Sequence, residues 1–503
     1  MEGKRLFSAL TLSLILRLVV GQKLPLFADK RSTIVHLFEW TWKDIAKECE
    51  DFLGPHGYGG VQISPPNEVI VQENNPWWAR YQPVSYILTS RSGNEAVLAN
   101  MIKRCNQVGV RIYVDVVVNH MSGYKAGETK GTAGSVAYYE QKNWPAVPYS
   151  SADFHPNCEI KNYQNATEVR DCQLGSLADL NQTLPHVREM ILNYMNRLID
   201  LGVAGFRMDA AKHMWPEDLK AIYGNLKPLN KKYGFPPMSK AYIYQEVIDL
   251  GGEPIKKTDY NQLGAVTEFV FSKAIGETFR GKKPLKSLKN WGPEWNMLPS
   301  EDAIVFVDNH DNQRGHGAGG ADILTHREPE LYKAAVAFML AHPYGKVTRV
   351  MSSYSFTNSD QGPPAAKDGS IIGPTFLANN QCDTKNSGWV CEHRWPEILH
   401  MVKFRIAVNQ QPLANWWDND GNQIAFSRGN TGFVAFNMDG NKELKASLQT
   451  GLPKGVYCDI ISGRKSGNSC TGLKIMVEAD GKADINLDKG PKVLAIYAQS
   501  KLT

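Results

Sequence analysis

The sequence has little of several features that mark particular classes of protein. After residue 21, no stretch comes near the roughly 18 consecutive apolar residues that a membrane-spanning helix needs. The formal net charge is only +5 over 503 residues, which is too small to indicate a nucleic-acid partner. The eight cysteines form no CxxC pattern, and no HxxxH pair accompanies them, so a zinc site is not indicated. What remains is an ordinary globular composition, with neither nucleic acid nor membrane expected as a partner.

The first 21 residues contain the one long apolar run in the sequence. A charged start precedes the apolar segment 6–20, which Arg17 interrupts. This pattern is typical of a secretory signal peptide cleaved after Gly21. Secreted proteins fold in an oxidising compartment, so the cysteines are expected to form disulfides, and Asn165 and Asn181 begin N-glycosylation sequons. Pairing by proximity, one of many possible connectivities, gives Cys49–Cys105, Cys158–Cys172, Cys382–Cys391 and Cys458–Cys470.

Short β-branched runs alternate with longer amphipathic runs over most of the chain. Nearly all-apolar strands fit a parallel sheet that is covered on both faces, and eight strand–helix units predict an α/β fold, a (β/α)8 TIM barrel. A doubly wound sheet is the alternative, but it needs a glycine-rich loop after the first strand, and residues 36–40 offer none. The predicted strands are Thr33–Phe38, Gly60–Ile63, Val110–Val118, Gly202–Met208, Tyr242–Glu246, Ala265–Phe269, Ala303–Val307 and Arg349–Tyr354.

Two regions interrupt this alternation. About 60 residues rich in Gly, Asn, Tyr and Pro follow the third predicted strand, and a structureless loop of that length is improbable, so we expect a small inserted domain. Beyond about residue 410, short strands separated by Gly, Asn and Asp turns predict a C-terminal antiparallel β-sandwich. The expected boundaries are a signal peptide at 1–21, a barrel at 22–120 and 184–410, an inserted domain at 121–183 and a C-terminal domain at 411–503.

Acidic residues lie within, at or just after the carboxyl ends of several predicted strands. They include Asp115, Asp209, Glu246 and Asp311, most of them beside His, Arg or Asn. A single strand-end aspartate is usually a helix cap, but in a barrel these ends converge on one mouth, where chemistry takes place. Carboxylates around one mouth suit glycosyl transfer, because one attacks the anomeric carbon and another protonates the leaving oxygen. Metal hydrolysis is the alternative, and no HExxH motif supports it.

Aromatic residues after the second predicted strand indicate the kind of substrate. Trp77-Trp78 and Tyr81-Gln82 lie in a segment rich in Pro and Asn. Core packing is the ordinary role of such a tryptophan pair, whereas at a barrel mouth exposed rings can stack on sugars. The pattern therefore favours a carbohydrate substrate.

Four sequence blocks in order resemble the α-amylase family of glycoside hydrolases, and most closely its animal-type, chloride-dependent members. The blocks are Asp115–His120, Gly205–His213, Gln245–Asp249 and Phe306–Asp311. The resemblance extends from His36 to the terminal strands. It implies a secreted α-amylase that cleaves internal α-1,4-glucosidic bonds of starch, glycogen and malto-oligosaccharides by a retaining double displacement.

The resemblance also implies roles for particular residues. Asp209 would be the nucleophile, Glu246 the general acid and then base, and Asp311 the residue that stabilises the transition state. The implied substrate-binding residues are Trp77, Trp78, Tyr81, Gln82, His120, Arg207, Lys212, His213 and His310.

Two ions are implied as cofactors, Ca2+ and Cl−. Oxygen ligands suit a hard cation, and a buried halide needs fixed cations to compensate its charge. The stretch before Arg349 is one residue longer than the family pattern, so Lys346 is an alternative to Arg349 as a chloride ligand. The implied calcium ligands are Asn119, Asp179 and the backbone carbonyls of Arg170 and His213, and the implied chloride ligands are Arg207, Asn309 and Arg349.

Other functions on the same barrel stay open at this point, because a fold does not choose among reactions. An exo-acting α-glucosidase or a transglycosylase is the second enzymatic alternative. The third alternative is a glycan-binding protein that has the same barrel but no catalytic activity. Such proteins usually lack at least one catalytic carboxylate, whereas Asp209, Glu246 and Asp311 are all present here. We expect a secreted monomer that acts on polysaccharide.

Overall fold

The structure is a computed structural model that describes residues 22–23 and 25–502. The predicted signal peptide at 1–21 therefore lies outside the described residues. Eight parallel strands close into a barrel in the ring order β1-β8-β7-β6-β5-β4-β3-β2. They are β1 (Thr33–Leu37), β2 (Gly60–Ile63), β3 (Arg111–Val116), β4 (Gly205–Met208), β5 (Tyr242–Gln245), β6 (Ala265–Thr267), β7 (Ala303–Phe306) and β8 (Val347–Ser352).

The barrel strands are buried along their whole length. Continuous apolar runs produce this pattern, because side chains on one face fill the barrel and those on the other face pack under the helices. All eight predicted strands are confirmed, with ends that shift by at most three residues.

Helices surround the barrel, and one of the predicted eight strand–helix units lacks its helix. Among the described residues, the segment between β5 and β6 forms only a short 3-10 turn, Lys257–Asp259, so the prediction of eight complete units was wrong there. Gly251 and Gly252 in this segment adopt φ angles of +93° and +89°, which interrupt a helix. The longer helices are α1 (Trp42–Glu48), α2 (Glu95–Gln107), α3 (Pro185–Leu201), α4 (Pro216–Gly224), α5 (Phe269–Phe279), α6 (Pro329–Ala341) and α7 (Pro396–Ala407).

A small subdomain is inserted between β3 and α3. Its base is an antiparallel pair formed by His120–Gly123 and Leu177–Asp179, and it also contains a hairpin of Glu128–Lys130 and Val136–Tyr138. The short helix Ala166–Asp171 completes it. Both ends of the insertion leave from the carboxyl end of β3, so the subdomain lies beside the barrel mouth.

The C-terminal region is an antiparallel β-structure. A four-stranded sheet in the order β9-β10-β11-β18 packs with the two-stranded pairs β12·β17 and β13·β16, and β14·β15 form a hairpin. Buried residues from both layers, such as Phe433 and Ile485, share one hydrophobic cluster, as the predicted sandwich requires. The strands are β9 (Leu413–Asp418), β10 (Gln423–Arg428), β11 (Gly432–Asn437), β12 (Leu444–Gln449), β13 (Gly455–Cys458), β14 (Lys465–Ser466), β15 (Ser469–Cys470), β16 (Lys474–Val477), β17 (Lys482–Leu487) and β18 (Lys492–Tyr497).

Disulfides link neighbouring segments of each part. The pairing predicted from proximity is confirmed: Cys49–Cys105, Cys158–Cys172, Cys382–Cys391 and Cys458–Cys470. No helix within residues 22–23 and 25–502 has the length and apolar character needed to cross a membrane. We propose the domain boundaries 22–120 with 184–410, 121–183 and 411–503 for these three parts.

Candidate active site

A cavity of about 530 Å³ opens at the carboxyl ends of the barrel strands. Asp209 and Glu246 directly follow β4 and β5, and Asp311 lies in the turn after β7. All three predicted acids line this cavity. Parallel strands in a closed barrel deliver their ends to the same rim, and the side chains therefore meet although they lie far apart in sequence.

One guanidinium connects the acids at the base of the cavity. Arg207 Nη1 donates to Asp209 Oδ1 at 2.8 Å and to Asp115 Oδ1 at 2.6 Å. Its Nη2 lies 2.7 Å from Glu246 Oε1, and the backbone N–H of Ala210 donates to Glu246 Oε2 at 2.9 Å. Asp209 and Glu246 are thus held on one planar group, which fixes both their separation and their orientation.

Negative charge exceeds positive charge in this cluster. Burial raises the pKa of Asp115, and it raises the pKa of Asp209 well above its ordinary value in spite of the contact with Arg207. Burial, reinforced by the charge of Glu246, raises the pKa of Asp311 to about 7. Carboxylates that share one guanidinium cannot all ionise at low cost, so the cluster retains a proton near neutral pH.

Tyr81 and two histidines form one wall of the cavity. The ring of Tyr81 stacks on His310 with centroids 5.0 Å apart, and its hydroxyl donates to Asp115 Oδ2 at 2.9 Å. The Nε2 of His120 lies 3.0 Å from the carbonyl oxygen of Tyr81. Burial lowers the pKa of His120 to about 4, and burial with the charge of Arg207 holds the pKa of His310 well below its usual range. Both imidazoles are therefore neutral hydrogen-bonding groups at pH 7.

The predicted tryptophans extend this aromatic wall. Trp77 and Trp78 both line the cavity, and Trp77 is fixed by a 2.7 Å hydrogen bond from Nε1 to the carbonyl of Ser359. Gln82 does not line it; instead its Oε1 accepts a hydrogen bond from the backbone N–H of Gly123 at 2.9 Å. Gln82 thus connects this loop to the inserted subdomain.

The cavity lining also includes residues that sequence reasoning missed. Lys212 and His213 were predicted and line the cavity, but Tyr163 and Glu253 line it as well. Lys212 Nζ forms an ion pair with Glu253 and lies 5.3 Å from the ring centre of Tyr163. Both missed residues lie in irregular segments that have no hydrophobic periodicity. Their only signal is that they belong to loops, where binding residues are common. Three further apolar residues of the lining are Leu174, Leu177 and Ile248.

The four predicted calcium-binding residues lie where the inserted subdomain meets the barrel. His120 pairs in register with Asp179, which places Asn119 beside Asp179. Arg170 follows Val169, whose carbonyl oxygen lies 3.0 Å from Nδ1 of His213. Buried Asn119 Oδ1 has no hydrogen-bond partner among the described residues, and burial raises the pKa of Asp179 to about 6.

Two of the predicted chloride residues, Arg207 and Arg349, lie within barrel strands, and the third, Asn309, lies in the turn after β7. Arg349 is 2% exposed within β8, and its Nη1 donates to Gln62 Oε1 at 2.9 Å. Its Nε and Nη2 have no hydrogen-bond partner among the described residues. Asn309 is also buried. Lys346, in contrast, is exposed and precedes β8, at the end of the barrel away from the acids, so the geometry favours Arg349 over Lys346.

A closed barrel whose mouth gathers carboxylates and aromatic rings defines the class of barrel glycoside hydrolases. The family model for the α-amylase catalytic domain matches residues 57–345, and the model for the α-amylase C-terminal all-beta domain matches residues 414–498. The chain therefore belongs to the α-amylase family.

Individual relatives agree with this assignment. The chain is 56% identical over 489 residues to the α-amylase of Tribolium castaneum, with 96% of this chain and 98% of that protein covered. It is 54% identical over 488 residues to the α-amylase of Pecten maximus, covering 95% and 94%. The crystal structure of a Glu-to-Gln mutant of α-amylase I from Eisenia fetida in complex with maltohexaose superposes with a TM-score of 0.89 at 44% identity, covering 94% of this chain and 99% of that one.

Proposed function

We propose that this chain is an endo-acting α-amylase that hydrolyses internal α-1,4-glucosidic bonds of starch and glycogen with retention of configuration. The observation that carries the proposal is that Arg207 holds Asp209 and Glu246 together on one guanidinium at the base of the cavity. A retaining glycosidase needs its two carboxyl groups about 5 Å apart, and a shared arginine enforces such proximity.

In the first half of the reaction, Asp209 attacks the anomeric carbon while Glu246 donates its proton to the glycosidic oxygen. The bond between the two sugars breaks, the released chain leaves with a new hydroxyl group, and the other sugar becomes an ester on Asp209. Asp311, at the rim of the same cavity, holds sugar hydroxyls as positive charge develops on the ring.

In the second half, the carboxylate of Glu246 removes a proton from water, and the resulting oxygen nucleophile attacks the anomeric carbon. The ester to Asp209 breaks, which releases the product with its original configuration and restores the proton on Glu246. Arg207 keeps both groups in position throughout. Tyr81 and Trp77 offer ring faces on which a sugar can stack.

The residues at the subdomain boundary fit calcium. Asn119 contributes a buried amide oxygen without a partner, and Asp179 contributes a buried carboxylate; both are ligands that a hard cation prefers. No cluster of three or more His, Cys, Asp or Glu side chains suited to a metal exists in the described part of the chain. Bound calcium would join Asn119 and Asp179 to the carbonyls of Arg170 and His213 and stabilise the subdomain against the barrel.

The predicted chloride-binding residues fit chloride. Arg349 has two buried N–H groups without hydrogen-bond partners, and its charge acts on Glu246 and Asp115. An anion held by Arg349, Arg207 and Asn309 would compensate this positive charge. It would also favour the protonated form of the neighbouring acid.

The test is a product-size analysis on amylose, run together with a reducing-end assay with and without chelator and chloride. A mixture of malto-oligosaccharides from the first time points is the expected result, because an endo-acting enzyme cleaves bonds in the interior of the chain. Glucose as the sole early product would contradict endo-action and favour an exo-acting α-glucosidase. We also propose that the protein is secreted and acts as a monomer.

A further inference from the structure

A second cavity lies at the opposite end of the barrel from the mouth, and we call it the junction pocket. It has a volume of about 240 Å³ and is lined by Ser32, Lys346, Arg405, Asn409, Gln411 and Arg428 together with flanking residues. Ser32 precedes β1 and Lys346 precedes β8, so the pocket is at the amino ends of the strands. Arg405 belongs to α7, whereas Arg428 ends β10 in the C-terminal domain. The junction pocket therefore lies between two domains.

The junction pocket contains positive charge without acidic partners. Its lining includes Lys346, Arg405 and Arg428 but no carboxylate. Arg405 and Arg428 are only 7% and 4% exposed, and buried charges are normally paired. Burial, with a further contribution from Arg428, lowers the pKa of Arg405 to about 9. No acid within residues 22–23 and 25–502 forms an ion pair with any of the three cations.

Helix capping accounts for only part of this charge. Arg405 Nη1 donates to the carbonyls of Met339 and Leu340 in the last turn of α6, and Arg428 donates to Ala341 at the end of that helix and to Val408 after α7. Arg405 also donates to Ser32 Oγ and to the carbonyls of His342 and Gly345, and Arg428 also donates to the Gln411 carbonyl. Every guanidinium nitrogen of the two arginines therefore has a partner, and they contribute positive charge to the pocket. A helix C-terminus carries about −0.5 of an elementary charge. Two such ends supply about −1 against three positive side chains, so a net positive charge remains in the junction pocket.

We propose that the junction pocket binds a small tetrahedral oxoanion of the inorganic phosphate or sulfate class. The polar groups that line the space include the Lys346 ammonium and the Gln411 amide. The Ser32 hydroxyl, which accepts from Arg405 Nε at 2.8 Å and keeps its own O–H to donate, and the Asn409 amide, which also donates to the Lys30 carbonyl at 3.3 Å, line it as well. An ion with several oxygens can accept from all of them, and the volume exceeds what one halide fills. Because the donors come from both domains, the bound ion holds the C-terminal domain against the barrel.

Sulfate is the probe, because phosphate would precipitate the calcium that the protein is expected to need. The melting temperature of the full chain is measured as sodium chloride is replaced by sodium sulfate at constant ionic strength and constant calcium. A ligand that binds only the folded state stabilises it by a saturable amount. We expect a saturating rise of about 2 °C at roughly ten times the dissociation constant.

Variants separate binding from the general stabilising effect of sulfate. Lys346 is exposed, so Lys346→Gln is expected to fold and to lose the saturating rise, whereas Lys346→Arg retains it. Lys103→Gln, which removes one exposed charge from α2, is the matched control and should behave like the wild type. An equal, non-saturating response in the wild type and Lys346→Gln would overturn the proposal. Starch hydrolysis by Lys346→Gln is expected to be unchanged, so this test is independent of the proposed function.

Discussion

The two ends of the barrel carry opposite excesses of buried charge. At the mouth, Asp115, Asp209 and Glu246 contact a single arginine, with Asp311 close by. At the junction pocket, two buried arginines and a lysine have no acid among the lining residues. The arginines of the junction pocket also bond the carbonyls at the ends of α6 and α7, whereas the acids at the mouth face the cavity.

The difference between the ends lies in the donors and acceptors that face the open space. Carboxylates at the mouth can give and take protons and form a bond with carbon, so their excess charge supports catalysis. Guanidinium and ammonium groups at the junction pocket can only donate hydrogen bonds and compensate an anion. The same barrel therefore offers a reactive site at one end and a binding site at the other.

The largest effect is expected at the mouth. Glu246→Gln keeps the shape of the side chain but removes its ability to exchange a proton, so kcat on starch should fall by about 10²–10⁴-fold. Adsorption to starch granules should be unchanged. Glu330→Gln, an exposed acid on α6, is the control. Full turnover by Glu246→Gln would identify another proton donor.

A smaller effect is expected at the proposed chloride site. Arg349→Gln removes the buried cation that β8 contributes near the acidic cluster. The activity at saturating chloride should fall by about tenfold, which corresponds to about 1.4 kcal/mol in the activation barrier. The variant should also no longer respond to chloride titration. Lys346→Gln should keep the wild-type chloride response. If instead Lys346→Gln abolished that response, the placement of the chloride site would be contradicted, as it would if wild-type activity ignored chloride.

The next effect is expected at the boundary between the inserted subdomain and the barrel, where we propose a calcium ion in place of the anion of the junction pocket. Asp179→Asn removes the carboxylate that we assign to calcium, so the calcium concentration needed for half-maximal thermal stability should rise by roughly 10–100-fold. A calcium titration of the melting temperature measures this. Asp153→Asn, a buried acid in the same subdomain that serves a local turn, is the control for general destabilisation. Equal calcium dependence in wild type and Asp179→Asn would remove the assignment.

The smallest effect is expected on folding stability, which the ionisation of buried Asp311 at the mouth lowers. Burial raises the pKa of Asp311 from 3.8 to about 7, so the folded state holds this proton at a higher pH than the unfolded state does. Stability is therefore lost as the pH rises from about 4 through about 7. Asp311→Asn should raise the melting temperature by roughly 1–3 °C at pH 8 and by less at pH 5, while activity falls. A rise of the same size at both pH values would show that the charge is not the cause.

Much of the barrel could be predicted because its strands are short apolar runs. The limits of β2 agree with the sequence pattern residue for residue, and those of α2 do as well. The prediction of eight strand–helix units was wrong at one place, because the segment between β5 and β6 contains Gly251 and Gly252 and forms only the 3-10 turn Lys257–Asp259. The strand β17 is harder to predict than the barrel strands, because its exposed polar residues alternate with buried Ala483, Ile485 and Leu487, and alternation is weaker evidence than a continuous run.

The site was predictable where residues directly follow strands and where aromatic residues cluster, as Trp77, Trp78 and Tyr81 do. Asp209 and Glu246 stand one residue beyond β4 and β5, where the barrel itself fixes their position. Tyr163 and Glu253 lie in irregular segments whose path depends on tertiary contacts, so no local pattern indicates that they line the cleft. The sharing of Arg207 among three carboxylates is likewise a property of the closed ring, since β3, β4 and β5 become neighbours only when the strands pair.

The most direct test of the central claim is to trap the sugar on the nucleophile. Glu246→Gln is incubated with α-maltosyl fluoride, whose leaving group needs no proton, and the digested protein is analysed by mass spectrometry. Because the variant lacks the base for the second half of the reaction, a maltosyl ester should accumulate on the peptide that contains Asp209. An unmodified Asp209 peptide, with fluoride released at a normal rate or with the sugar on another residue, would contradict the account.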